Sequence, residues 1–120
     1  MALRLRKSKA LPAPPGCPMA ACMDVLGGAW TPQVIWQLSG GARRFGELQR
    51  DIPAISAKVL TARLRGLESK GVLVREVMDT SPPSAEYALT NLGRELIPVI
   101  HAIVRVGTRL RDAGAPSPRR

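Results

Sequence analysis

Residues 45 to 72 read FGELQRDIPAISAKVLTARLRGLESKGV. The spacing predicts a short helix, a turn of about five residues, and a longer helix with two unlike faces. Ser56 is a natural N-cap, since its hydroxyl can accept from backbone N–H groups left unpaired at a helix start. Ile55 before it and Leu60 in the first turn have the spacing of a hydrophobic staple. Gly71 suits a left-handed C-terminal position, from which Val72 can reach back to Leu67. Leu60, Leu64 and Leu67 share one face. At about 100° per residue the opposite face carries Lys58, Thr61, Ala62, Arg65 and Ser69.

A helix that enters a DNA groove needs such a face. Small side chains permit close approach, hydroxyls and arginine reach base edges, and cations meet phosphates. The plainer alternative is an αα-hairpin whose polar face is merely solvated. Charge distribution favours the groove. The chain of 120 residues carries a formal +9. Arg4, Arg6, Lys7 and Lys9 supply +4 without an acid. Eight cations against Glu47, Asp51 and Glu68 give +5 between residues 43 and 75. The excess therefore sits on one tail and on this helical pair, as expected of a surface that binds a polyanion.

The length fits one domain with a modest core. No apolar run approaches the roughly 18 residues that span a bilayer, and the basic N-terminus lacks the apolar stretch of a secretory signal. The expectation is a cytoplasmic protein with no membrane partner, and two cysteines are too few for a disulfide scaffold. One histidine, no clustered carboxylates, no phosphate-cradling glycine motif and no metal-ligand spacing argue against an enzyme, a cofactor or a metal.

Residues 1–16 read as a disordered basic tail and 114–120 as a second one, flanking a domain over 17–113. Cys17-Pro18 opens a helix that stops at Gly27-Gly28. A second begins at Thr31 or Pro32, with Trp30 and Trp36 expected as core anchors, and ends at Gly40-Gly41. After the helical pair, residues 72–78 and 85–90 read as two strands joined by a proline-rich loop, a hairpin wing with Asp79 at its tip. Thr90 caps a last helix over about 91–113, which Pro98 is expected to kink. His101 is expected on its solvated face. Its apolar stripe, from Leu92 through Leu96, Val99, Ile103 and Leu110, is widened by Ile97, Ile100 and Val104. That is more apolar surface than one small domain can cover, so the helix predicts a homodimer. The fold class is mainly α with a small β-hairpin: a winged helix-turn-helix that dimerises through its terminal helices.

With those residues in place, the chain resembles the HxlR-type group of MarR-like winged-helix bacterial transcriptional regulators. The matching pieces are Cys17-Pro18, Gly27-Gly28 with Trp30-Thr31, and Arg43 through Leu48. Ile55-Ser56, Val59-Leu60-Thr61, Arg63-Leu64, Leu67-Glu68 and Gly71 continue them. Pro82-Pro83, Glu86-Tyr87, Leu89-Thr90 and Gly93 complete them. Ala29 and Ser84 stand where the group commonly has basic residues, which weakens the expected wing contact. The resemblance implies a homodimer on double-stranded operator DNA. Lys58, Thr61 and Arg65 would approach bases, while Arg43, Arg44, Arg63, Arg75 and the Ser56 end of the helix would meet phosphates. A sequence-blind architectural DNA- or RNA-binding protein is the rival reading. Cys17 leaves two options open. It packs as a small apolar thiol, or, at a helix N-terminus that favours the thiolate, it senses oxidants as the resemblance implies.

Overall fold

The computed structural model describes residues 10–12, 15–16 and 18–114. Cys17 and most of both tails, on which the tail and thiol expectations rest, lie outside them. The elements run α1 (Pro18–Leu26), α2 (Thr31–Leu38), β1 (Arg43–Arg44), α3 (Phe45–Asp51), α4 (Ala57–Ser69), β2 (Leu73–Met78), β3 (Ser84–Leu89), α5 (Asn91–Arg94) and α6 (Ile97–Gly114). The sheet is antiparallel in the order β1-β3-β2.

The ends of α4 follow from their residues. The Ser56 hydroxyl accepts from the Val59 N–H at 3.1 Å. At the other end Gly71 adopts φ +76°. The Val72 N–H reaches the Leu67 carbonyl and the Gly71 N–H reaches that of Glu68, both at 3.0 Å, the paired bonds of a Schellman ending. Leu60, Leu64 and Leu67 are buried, facing a core that includes Val34, Ile35, Leu48, Leu73 and Ile100. Each such side chain contributes about 1.5–3 kcal/mol through apolar burial, so the face that fixes α4 in place is also the one that turns Lys58 and Arg65 outward.

Four expectations are corrected. The sheet has a third strand, β1, which no alternation of two residues could announce. The last helix is broken rather than kinked. Pro98 has no N–H to offer the Arg94 carbonyl, so α5 ends there and the chain turns through Glu95 and Leu96 before α6 begins. Within α6 only Ile100 is buried. Trp36 is not a core anchor: it is 41% exposed. His101 is not simply solvated, because its ring packs on Trp36 with centroids 5.3 Å apart.

The junctions are tight. Thr90 caps α5 by accepting from the Gly93 N–H at 3.0 Å, while its own hydroxyl donates to the Gly71 carbonyl at 2.6 Å. Gly93 is buried against the Val72 carbonyl, where any Cβ would lie 2.0 Å from that oxygen. Trp30, at the N-cap of α2, holds φ +72°, the sole non-glycine in the left-handed region among the described residues. A bulky side chain there costs on the order of 1–3 kcal/mol. Bonds on both sides hold the turn: Thr31 Oγ1 donates to the Gly27 carbonyl at 3.0 Å, and Arg63 Nε to the Ala29 carbonyl at 2.7 Å.

Candidate nucleic-acid interface

The outward face of α4 is a shallow depression walled by Ala57, Lys58, Thr61, Ala62 and Arg65. Lys58 and Arg65 are exposed, and Thr61 is half-buried between them. Beside it, a groove of about 370 Å³ runs between α4 and the sheet, lined by Thr61, Leu64, Arg65, Glu68, Arg75 and Tyr87. Sheet register explains how Arg75 comes to face α4. Tyr87 pairs with Arg75 on one side and with Arg43 on the other. Directly opposed residues of an antiparallel ladder project to the same face, so the three form one row across the sheet. Arg44, Glu86 and Glu76 form the next row, on the other face.

Charge partners sort the cations into two groups. Among the described residues, Lys58, Arg65 and Arg75 form no ion pair, so three cations border the outer face of α4 and its groove, where Glu68 is the one acid. Arg43 is engaged: it pairs with Asp51, lies 3.6 Å from Glu47, and donates to Gln37 Oε1 at 3.4 Å. Arg44 is exposed, with Nε 3.9 Å from Glu86. Its backbone N–H donates to Glu47 Oε1 at 2.8 Å. That bond first, then the neighbouring Arg43 and Arg44 charges, hold the Glu47 carboxyl below the usual glutamate range against a smaller opposing desolvation.

Arg63 stands apart. Its guanidinium lies against Gly28 and donates to Ala29, so it ties α4 to the α1–α2 turn. Lys70, just past the end of α4, reaches α1 itself, donating to the Asp24 carbonyl at 3.0 Å. The Ser56 hydroxyl oxygen accepts from the Val59 N–H, which leaves the earlier amides of the first turn to face an anion. The sequence reading missed Tyr87 and Glu68. Tyr87 could have been placed from the alternation of β3 once a third strand was known. Glu68 lines the groove with Arg65 and Arg75. At the wing, Thr80 Oγ1 donates to the Pro82 carbonyl at 2.7 Å, folding the tip back on itself, and the exposed tip carries Asp79.

A buried-face helix held between a five-residue turn and a β-hairpin, with free cations on its outer face, defines a winged helix-turn-helix DNA-binding protein. The chain belongs to the HxlR-like helix-turn-helix family, whose profile matches residues 25–114. It is 38% identical over 106 residues to the HTH-type transcriptional regulator YybR of Bacillus subtilis, covering 88% of this chain and 85% of that one. The solved structure of the redox regulator HypR in its oxidised form is similar, with 38% identity, a TM-score of 0.74, and coverage of 78% of this chain and 96% of that one. Reduced YodB of B. subtilis matches at 33% identity and a TM-score of 0.67, over 73% and 86%. The protein is accordingly a helix-turn-helix transcriptional regulator with DNA as its partner, and not an enzyme. No helix among the described residues is long and apolar enough to cross a membrane.

Proposed function

We propose that the protein acts in the cytoplasm as a homodimer which places two copies of α4 in successive major grooves of an inverted-repeat operator. The observation that carries this reading is the unpaired trio Lys58, Arg65 and Arg75 around the small-residue ridge of Thr61 and Ala62. Lys58, Thr61 and Arg65 approach base edges. Arg75, the exposed Arg44 and the first-turn amides of α4 hold the backbone, with Arg43 bracing Arg44 through its ties to α3. Arg63 serves as a positioning residue. Support for the dimer comes from α6, which is exposed from Ile103 onward and presents Val106 and Leu110, the latter 69% exposed. Met19 and Met23 of α1 are also exposed. Apolar side chains on two terminal helices suit burial against a second copy.

Oxidant control through Cys17 belongs to the same proposal. HypR is described as a redox regulator, and YodB has been solved diamide-treated and quinone-bound. Cys22 is half-buried and packed against the core, which makes Cys17 the candidate thiol. A Cys17→Ser variant that still leaves DNA on diamide treatment removes this part alone.

The test of the central reading is salt dependence with competitor DNA. Arg44 and Arg75 of each subunit neutralise four phosphates per dimer, which gives a log–log slope of roughly −4. Operator should be preferred over unrelated duplex by about a thousandfold or more. A slope near −1, or equal affinity for all sequences, overturns the reading in favour of a sequence-blind binder.

A further inference from the structure

Between α2, the α3–α4 turn and α6 the surface opens into a cleft of about 480 Å³. That volume lies within the range of small-molecule sites. Both tryptophans of the chain line it, together with Pro53, Ile100 and Ile103. Aromatic side chains are otherwise one tyrosine and one phenylalanine, so the indole surface of the whole protein is gathered in one place.

Two features separate the cleft from a packing gap. Trp30 enters it from a left-handed backbone conformation that a bulky residue rarely adopts. Backbone strain of this kind concentrates at binding and switching sites. Trp36 stays 41% exposed, yet its ring is steadied from α6 by His101. The wall is therefore open to an occupant and already set in position.

Charge selects the occupant. Among the described residues, Asp51 is the one ionisable group lining the cleft, accompanied by Gln33 and Gln37, in a protein whose overall charge is +9. Indole faces attract cations through the ring quadrupole, and a carboxylate at the same site adds to that attraction. An anion would meet Asp51 here and find free cations elsewhere. We propose that the cleft is a binding site for a small aromatic cation, its ring against Trp30 and Trp36 and its positive group toward Asp51.

The position of the site connects it to DNA reading. Ile52, Pro53 and Ala54 line the cleft and form the turn that precedes α4. Asp51 is also the partner of Arg43 on β1. A cation drawn to Asp51 competes with Arg43 while its ring bears on the turn, so an occupant alters operator affinity. Binding itself does not depend on the DNA reading.

Three probes of similar shape decide it: 2-naphthylmethyl-trimethylammonium, 2-naphthalenemethanol and 2-naphthoate, titrated into the full-length protein by calorimetry without DNA. The cation should bind roughly tenfold more tightly than the alcohol, and the carboxylate more weakly than either. Asp51→Asn should bring the cation-to-alcohol ratio close to one, and Trp36→Leu should abolish binding of all three. Circular dichroism and operator affinity of each variant, measured without probe, report folding separately from binding. Equal affinity for the three probes, an unchanged ratio in Asp51→Asn, or no binding by a folded, DNA-competent protein overturns the proposal. The last result, joined to Trp36 shielded from iodide only at dimer-forming concentrations, would assign the cleft to a second copy of the chain.

Discussion

Replacing Gly93 by alanine adds one methyl group at the place where α5 meets the start of β2. The new Cβ would sit 2.0 Å from the Val72 carbonyl oxygen and 3.2 Å from a Leu89 methyl. A backbone carbonyl cannot rotate away as a side chain would. The same oxygen accepts from the Thr90 N–H at 3.0 Å and, at 3.1 Å, shares the Thr90 hydroxyl proton with the Gly71 carbonyl. Relief therefore requires α5 to lift, which weakens both bonds at about 1 kcal/mol each and adds overpacking of about 1–3 kcal/mol. Alanine returns about 1 kcal/mol through helix propensity. The net is a loss of about 3 kcal/mol, a large share of the roughly 5–15 kcal/mol that holds a domain together, and a Tm lower by roughly 10–20 °C. Gly66 is the internal control. It lies within α4, and a methyl group added there would meet nothing within 4 Å, so Gly66→Ala should stabilise by about 0.5–1 kcal/mol. Urea titration of both variants at one fixed protein concentration measures the pair, since a dimer's stability depends on concentration. A Gly93→Ala protein within about 1 kcal/mol of wild type would refute the reasoning.

Arg65→Ala should relax base choice at one operator position at a cost of about 1–3 kcal/mol, whereas Arg44→Ala should weaken all duplexes alike and flatten the salt slope, as read by fluorescence anisotropy on a panel of sites. Arg63→Ala should leave the salt slope unchanged but speed amide exchange over Gly27–Trp30, because its bond to Ala29 closes that turn. Ser56→Ala should lower stability by about 1 kcal/mol through loss of the cap, as read by urea titration. Glu47 has its folded pKa depressed, so its contribution is complete above the ordinary glutamate value and fades as pH falls through the depressed one. Glu47→Gln should therefore narrow its stability gap to wild type as pH is lowered from about 6 to about 3, and a gap that widens on acidification would contradict this sign.

Where residue type and spacing act locally, the fold was legible. Ser56, the leucines at 60, 64 and 67, and Gly71 mark the limits and buried face of α4 without help from the rest of the chain. The first strand of the wing was legible from its β-branched, partly alternating residues, and the second from its place after two prolines. Strand β1 was not, because two arginines carry no period and are extended only through pairing with Tyr87 and Glu86. The fates of the cations were equally hidden. Arg63 and Arg65 are two residues apart, yet one meets the Ala29 carbonyl and the other faces open solvent, a difference set by a turn more than thirty residues upstream. Trp36 misled for a related reason: a large apolar ring at helical spacing reads as core, and only the position of α6 reveals that it borders a cleft.

The row of Arg43, Tyr87 and Arg75 ties the front of the helix-turn-helix to the wing by pairing rather than by flexible connection. A pleated ladder has two sides and no intermediate setting, so an error of one residue in β3 would not shift this row slightly. It would replace Tyr87, between Arg43 and Arg75, by its neighbour Glu86 or Ala88 and send the phenol to the opposite face. Insertions and deletions in β3 should thus behave as parity changes, with one residue turning its side chains over to the opposite face and two turning them back.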